Sequence, residues 1–482
     1  MKQNKQSHRG IVMAAVFIAT FMTSVEVTIV TTALPEIISA LNGLAAQSWI
    51  MSAYLLTTAI TTPIYGKLAD SWGRRKIFQW GVIVFTIGSL FSGLARTMPI
   101  LIIARAVQGI GAGAVMPLTF TIIADYYDFK ERAKVLALNN SAWALSSLVG
   151  PMIGGFLVDT LSWHWVFFVN VPLGILVAIL IQFGYREPKS ESSNFKIDHK
   201  GISLLTIALI TLLMGVQLLA KQIIIAIVLL IISVVSIYLF IRAEKMVSDP
   251  LISPKLFKNQ TFFAQIATAT ILSGVLMGYE VYFPIWLQSL YRLSATTAGM
   301  VVTSSSVLWL ISSFFVGPLL NRFIPKKISL TVVSVLIISY SILSFAGLNF
   351  PVWAFYVIAM VNGAGMGIVI SMNLVLAQNS APTEMVGSAS SIVTLGRSLG
   401  QTVMTGVYGT ILNLMINATR GTIPFSKINN MISSSGKTNH PTVEMAQVVL
   451  NGLHGIFISA AILLVICWFI NLRDPLNKIV DK

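Results

Sequence analysis

The chain has 482 residues, 55% of them hydrophobic and only 10% charged, with a formal net charge of +15. A mean hydropathy of +0.82 excludes an ordinary soluble globular protein, in which about a quarter of residues are charged. The single cysteine, Cys467, excludes an intramolecular disulfide framework.

The first apolar run, about 10–34, is roughly 25 residues long, more than the apolar core of a cleaved signal peptide and enough to span a bilayer. Within it, "MTSVEVTIV" places Glu26, and no other charge occurs from Gly10 to Pro35. A second run, 45–66, carries Tyr54 and ends in "GKLADSWGRRK" (66–76). There Gly66 and Gly73 permit tight backbone geometry, Asp70 suits a helix end, and Arg74, Arg75 and Lys76 form a basic cluster. After a third run (77–95), the fourth (99–123) contains "RAVQGIGAG". Its glycines lack a βαβ context, so they read as helix packing rather than a dinucleotide loop. Arg105 sits about 9 Å inside one end of that span at 1.5 Å per residue, a depth compatible with that of Glu26.

The fifth run (135–158) holds Trp143 and "GPMIGG", placing Gly150, Pro151, Gly154 and Gly155 mid-helix. Proline bends the helix and glycine admits a close neighbour. Runs follow at 163–184, 201–220 and 223–241. The ninth, 261–288, contains Glu280, Tyr282 and Trp286. The last five are 296–318, 328–347, 351–373, 386–413 (with Arg397) and 450–472, with a polar loop at 414–449 before the final one. The loop suits either an ordered outer cap or a flexible connection.

Fourteen spans put both termini on one side. Loops on that side hold 24 of the 32 Lys and Arg, the opposite loops hold 6, and Arg105 and Arg397 lie inside spans. Basic loops stay cytoplasmic, so both termini are expected there, and the basic charge needs no nucleic-acid partner.

A repeat supports two halves. "GKLADSWGRRK" aligns on "GPLLNRFIPKK" (317–327) at an offset of 251, "QGIGAG" (108–113) on "NGAGMG" (362–367) at 254, and Glu26 on Glu280 at 254. The expected division is therefore residues 1–186, an inserted pair with its linkers over 187–259, and 260–482. An even insertion keeps the halves parallel.

Glu26, Arg105, Glu280 and Arg397 are the four charges well inside spans. Each costs roughly 2.5–3.5 kcal/mol on insertion scales. Buried ion pairs that simply hold a bundle are one explanation. Duplicated glutamates facing a shared aqueous cavity, as sites for protons or cations, are the other and the better one. Burial and a nearby arginine act oppositely on a carboxyl group, which suits exchange of protons during a cycle. Phe21, Tyr54, Trp143, Tyr282 and Trp286 would offer cation–π contacts in that cavity. The five histidines are scattered, and no metal-ligand, phosphate-loop or nucleophile pattern has supporting context.

These motifs resemble, over nearly the whole chain, the fourteen-helix drug:proton antiporters of the major facilitator superfamily. "GKLADSWGRRK" resembles the cytoplasmic motif between helices two and three, and "RAVQGIGAG" the fourth-helix motif whose arginine is tied to proton coupling. "GPMIGG" resembles the fifth-helix motif of exporters, and "VEVTIVTTALP" (25–35) the first-helix motif of the multidrug and quaternary-ammonium branch. The resemblance implies an all-α polytopic membrane protein with fourteen transmembrane helices arranged 6 + 2 + 6. It implies alternating access, energy from a proton gradient without a cofactor, and residence in the plasma or bacterial inner membrane. It further implies that Asp70 and its neighbouring bases meet other cytoplasmic helix ends, with Asp125 as partner of Arg74 and Arg75.

The sequence departs from the family pattern in four places. Glu26 stands for the usual aspartate, Thr31 for an asparagine, Asn321 for the acid in the second copy of the cytoplasmic motif, and Ala359 occupies the repeat position of Arg105. The leading expectation is proton-coupled export of lipophilic, often cationic drugs across a lipid membrane. A metabolite, peptide or lipid exporter is the alternative, with Arg105 or Arg397 contacting cargo. A non-transporting sensor would be expected to have a degraded motif or an added soluble domain, and an enzyme a catalytic constellation; the sequence displays neither.

Overall fold

The computed structural model describes residues 9–127, 129–187, 199–219, 222–246, 256–380, 386–433 and 442–476. Every expected apolar run coincides with a helix. The first six are α1 (Arg9–Leu41), α2 (Gln47–Trp72), α3 (Arg74–Gly93), α4 (Met98–Tyr126), α5 (Phe129–Thr160) and α6 (Asn170–Gly184, after a turn at Trp165–Phe168). Then come α7 (His199–Leu218) and α8 (Ile223–Glu244). The remainder are α9 (Gln260–Ser289), α10 (Ala295–Ser313), α11 (Pro325–Phe345), α12 (Val352–Asn379), α13 (Val386–Thr419) and α14 (Val443–Leu472). Among the described residues there is no strand, and 12 helices are long and apolar enough to cross a membrane. The more polar α2 and α13 are not among those twelve.

Local chemistry sets several helix starts. Asn259 caps α9 by accepting from the Thr261 and Phe262 amides, and Ser294 and Thr442 cap α10 and α14 in the same way. Asn42 (φ 48°) and Arg292 (φ 56°) take left-handed conformations in the turns after α1 and α9. Gly73 (φ 97°) separates α2 from α3, and a Cβ there would lie 2.8 Å from the Glu187 carboxylate.

The helices pack in one pattern used twice. In α1–α6 the fourth helix packs on the first, second and third, and the sixth on the first and third; the first also packs on the fifth. Helices α9–α14 repeat each of these pairings. Between the groups, α5 packs on α10, α2 on α13, and α1 on α9. Such pairing is what a duplicated bundle related by an axis along the membrane normal produces. Helix α7 packs on α2 and α13, and α8 packs on α7. Lipid-facing residues of α8 such as Ile224 and Val234 are largely exposed.

Hydrogen bonds between the two groups gather at the distal end, where α1 stops and α2 begins. The Asp159 carboxylate at the end of α5 accepts from the Ala295 amide (3.3 Å), the Thr296 amide (2.9 Å) and the Thr296 hydroxyl at the start of α10. Gln288 Nε2 donates to the Thr32 carbonyl at 3.2 Å. The short helix Phe425–Ser433 lies across this end against α1, α9 and α14. It buries Ile428 and Ile432, and Asn429 Oδ1 accepts from the Leu44 amide at 3.2 Å. Part of the 414–449 loop is therefore an ordered cap; residues 434–441 lie outside the described residues.

The glycines of "GPMIGG" divide between two neighbours. Gly150 and Gly154 admit Thr28 and Thr32 of α1, whereas Gly155 lies against the backbone of Ala295 and Thr296. A Cβ at Gly155 would stand 2.6 Å from the Ala295 carbonyl oxygen. Gly155→Ala is therefore expected to push the groups apart distally, and Asp159→Ala to loosen them by removing the clasp. Spin labels on Leu161→Cys and Arg292→Cys should report a longer distance in both variants; unchanged distances would show that neither contact holds the distal end. Labelling is selective because Cys467 is buried.

Candidate functional site

The charges expected inside spans form two unlike sites. In the first group, Glu26 of α1 and Arg105 of α4 are fully buried and ion-paired. Arg105 also donates through Nη1 to Gln108 Oε1 (2.7 Å) and through Nε to the Ile50 carbonyl (3.0 Å). Its guanidinium lies 4.4 Å from the Tyr54 ring centroid and 5.6 Å from that of Phe167. The second Glu26 oxygen accepts from Asn170 Nδ2 of α6. Ser89 of α3 closes the network by accepting from Gln108 (3.1 Å) and Asn170 (3.2 Å) while donating to the Phe167 carbonyl (2.9 Å). Side chains from α1, α3, α4 and α6, with a backbone carbonyl of α2, meet at one carboxylate–guanidinium pair.

This geometry corrects the expectation that Glu26 opens on an aqueous cavity. Here it is sealed inside its own helix group. A buried charge is tolerated when it is paired and hydrogen-bonded, and the cage meets that condition. Sequence reasoning did not identify Asn170, Ser89 or Gln108. Gln108 had a signal, since it lies three residues after Arg105 and so shares its helix face.

In the second group the same scaffold carries different chemistry. Tyr340 and Asn362 stand at the repeat positions of Ser89 and Gln108, and Tyr340 donates to Asn362 at 3.0 Å. Ala359 replaces the arginine, leaving Glu280 without a cage. Between Leu272 and Ser289 of α9, Glu280 is the one residue that is not buried. Helix α9 packs on α10, α12, α13 and α14 of its own group and on α1 of the other, so it lies at the seam between the groups. Among the described contacts Glu280 has no ion pair within 4.0 Å. Arg397 of α13 is also partly exposed, acts on Glu280 through its charge, and reaches Ser273 Oγ at 3.4 Å.

The aromatic expectations divide. Phe21 and Trp143 retain exposed surface. Tyr54, Tyr282 and Trp286 are buried, a correction with a packing cause. Tyr54 covers Arg105, Tyr282 meets Tyr408 edge-on, and Trp286 packs against Phe355, Phe457 and His454.

At the proximal end, Arg74 is ion-paired to Asp125, whose other oxygen accepts from the Tyr185 hydroxyl. Burial, and then this bond to Asp125, push the Tyr185 hydroxyl above the usual tyrosine range, so it remains a donor. Arg75 donates to the Gln182 carbonyl at the end of α6, where a helix dipole favours a cation. Lys326 similarly reaches the Asp474 carbonyl after α14 at 3.0 Å. Of Gly66 and Asp70, only the helical backbone belongs to the described residues. The Arg74–Asp125 pair is partly solvated, with side chains 31% and 10% exposed. A double-mutant cycle with Arg74→Ala and Asp125→Asn should give a coupling of about 1 kcal/mol or less in thermal unfolding. A coupling several times larger would mark a pair held much more tightly.

Residues 16–405 match the family model described as Major Facilitator Superfamily. The chain is 32% identical over 435 residues to "Multidrug transporter protein MdtP" of Bacillus subtilis, covering 89% of this chain and 79% of that protein. It is 33% identical to "Multidrug resistance protein 3" of the same organism, covering 84% and 80% respectively. The fold superposes on a bacterial homologue of the human lysosomal transporter Spinster, crystallised in an inward-facing, occupied conformation. That match has a TM-score of 0.70 and 16% identity, covering 97% of each chain.

Proposed function

We propose that this chain, which belongs to the Major Facilitator Superfamily, exports lipophilic and often cationic drugs in exchange for protons. The names of its relatives support drug efflux. The observation that carries the coupling is the contrast between two equivalent glutamates, one locked to Arg105 and one bare at the seam. A carboxylate with no ion pair of its own, held only at a distance by Arg397, suits an incoming cation, and a cation and a proton compete for the same charge. Glu280 is the cation- and proton-binding carboxylate in this reading, and the Glu26–Arg105 cage sets the packing of the first group to its protonation state.

In this reading all fourteen helices span the cell membrane as 6 + 2 + 6 with cytoplasmic termini. The distal closure at Asp159, Gln288 and Asn429 is then the outer gate, and the seam at Glu280 opens inward to receive cargo. Rocking of the two groups exchanges these ends. The pair Arg74–Asp125 steadies the cytoplasmic ends of the first group during that movement.

Proteoliposomes with an imposed pH gradient and a fluorescent monovalent cation test the proposal. Wild type should transport the cation, Glu280→Gln should fail, and Glu26→Gln should be impaired through its cage. Gradient-driven transport by a folded Glu26→Gln/Glu280→Gln protein would remove both carboxylates from the mechanism. A wild type that moves no cation would favour neutral or anionic cargo, for which the partly exposed Arg397 beside Glu280 is the specific pointer.

A further inference from the structure

We propose that a groove between α3 and α6 binds an anionic glycerophospholipid from the leaflet nearest the chain termini. Its acyl chain would lie along the groove and its phosphate at Arg75 and Lys76. This inference is independent of the cargo.

The groove encloses about 380 Å³ on the outer face of the first helix group, lined by Ile83, Ile87, Ile175, Ile179 and other largely apolar residues. From Gln79 to Ile87 it runs roughly 12 Å along α3 at 1.5 Å per residue, long enough for much of an acyl chain. Its lower end is polar. Gln79 Nε2 donates to Gln182 Oε1 at 2.8 Å, and Arg75 donates to the Gln182 carbonyl. Among the described contacts, Gln182 Nε2 and Gln79 Oε1 have no protein partner. Polar atoms that face lipid need one, and the ester and phosphate oxygens of a lipid accept from the amide donor. Lys76 is exposed and lies three and seven residues before Gln79 and Ile83, on the same helix stripe. Basic side chains at the mouth of an apolar groove complement an anionic headgroup, not a zwitterionic one.

The second helix group is an internal comparison. Aligning Arg186-Glu187-Pro188 on Arg473-Asp474-Pro475 places Phe469 at Gln182, and the 251-residue offset places Leu330 at Gln79. Neither carboxamide is retained. Trp468 of α14 instead donates to Ser334 of α11 at 3.1 Å, bridging the two helices over the corresponding place. A polar-ended groove is thus not a by-product of the fold.

Native mass spectrometry of the full chain in detergent, titrated with phosphatidylglycerol or phosphatidylcholine, tests the site. Wild type should prefer phosphatidylglycerol by roughly fivefold, the equivalent of ~1 kcal/mol for one basic residue at a membrane surface. Lys76→Gln should abolish the preference, and Ala178→Phe, which fills the groove, should reduce binding of both lipids. Ile225→Phe on the exposed face of α8 should change neither. If Ala178→Phe does not fold, Ile83→Phe fills the same space. Equal binding of the two lipids by wild type, an unaltered preference in Lys76→Gln, or undiminished binding in the filled variant would mean annular lipid only and overturn the proposal.

Discussion

Glu280→Gln is expected to lose gradient-driven cation transport almost completely while remaining as stable as wild type or slightly more so. Substitution removes a charge that has neither ion pair nor cage to lose, and a largely buried carboxylate offset only by the more distant charge of Arg397 is itself unfavourable. The glutamine keeps the volume of Glu280, so packing around it is unaltered. Transport and thermal stability should therefore separate: near-background flux, melting temperature unchanged or raised. Glu280→Asp is the informative companion, since it restores the charge on a shorter side chain; partial recovery would show that charge matters and reach refines it. A Glu280→Gln protein that still moves cation down the pH gradient would exclude this residue as the coupling site. Loss of transport with a large fall in melting temperature would instead place Glu280 in the scaffold.

Breaking the Glu26–Arg105 pair should have the opposite signature. Removing one member of a buried pair leaves the other charge stranded, at a cost of roughly 3–5 kcal/mol. Arg105→Met strands the Glu26 carboxylate with Asn170 as its remaining donor. Glu26→Gln strands Arg105 on Gln108, the Ile50 carbonyl and the Tyr54 ring. Either single variant should unfold at markedly lower temperature in detergent, whereas Glu26→Gln/Arg105→Met should lose much less than the sum. That non-additivity, measured by a thermal double-mutant cycle, is the test. Additive losses would show that the two side chains act independently despite their contact. Asn170→Ala is expected to destabilise less, because it removes a neutral donor and leaves the ion pair in place.

The contrast between these predictions shows what repetition did in this chain. One ancestral helix arrangement holds a glutamate at the same place twice, and the residues around it decide its state. In the first group Arg105 and Asn170 satisfy it; in the second Ala359 and Phe457 occupy the corresponding places and do not. Asp159, Gly155 and Asn429 show a similar division at the distal end, where small or polar residues decide how closely the two groups approach.

Much of the fold was legible before any coordinates. Long apolar runs punctuated by basic turns fix helix positions, because a chain in lipid must satisfy its backbone within each helix. Expected spans therefore coincide with helices, although α1 and α13 run past the expected limits to Leu41 and Thr419, where Ile37, Ile38 and Ile416 are buried in the core and keep the extra turns helical. The repeat, matching depths of Glu26 and Arg105, and the singular position of "GPMIGG" were also readable, because spacing survives in sequence. Side-chain direction was not. Helix α9 is buried on nearly every side, so it has no polar face from which to infer that Tyr282 and Trp286 are buried in packing while Glu280 keeps exposed surface. Asn170 looks like an incidental polar residue in an apolar run until α1 and α6 meet. The sequence by itself determined the placement of the long helices and the presence of four charges within long apolar runs. Only the tertiary structure decided which charge has a partner, because that depends on contacts between helices more than sixty residues apart.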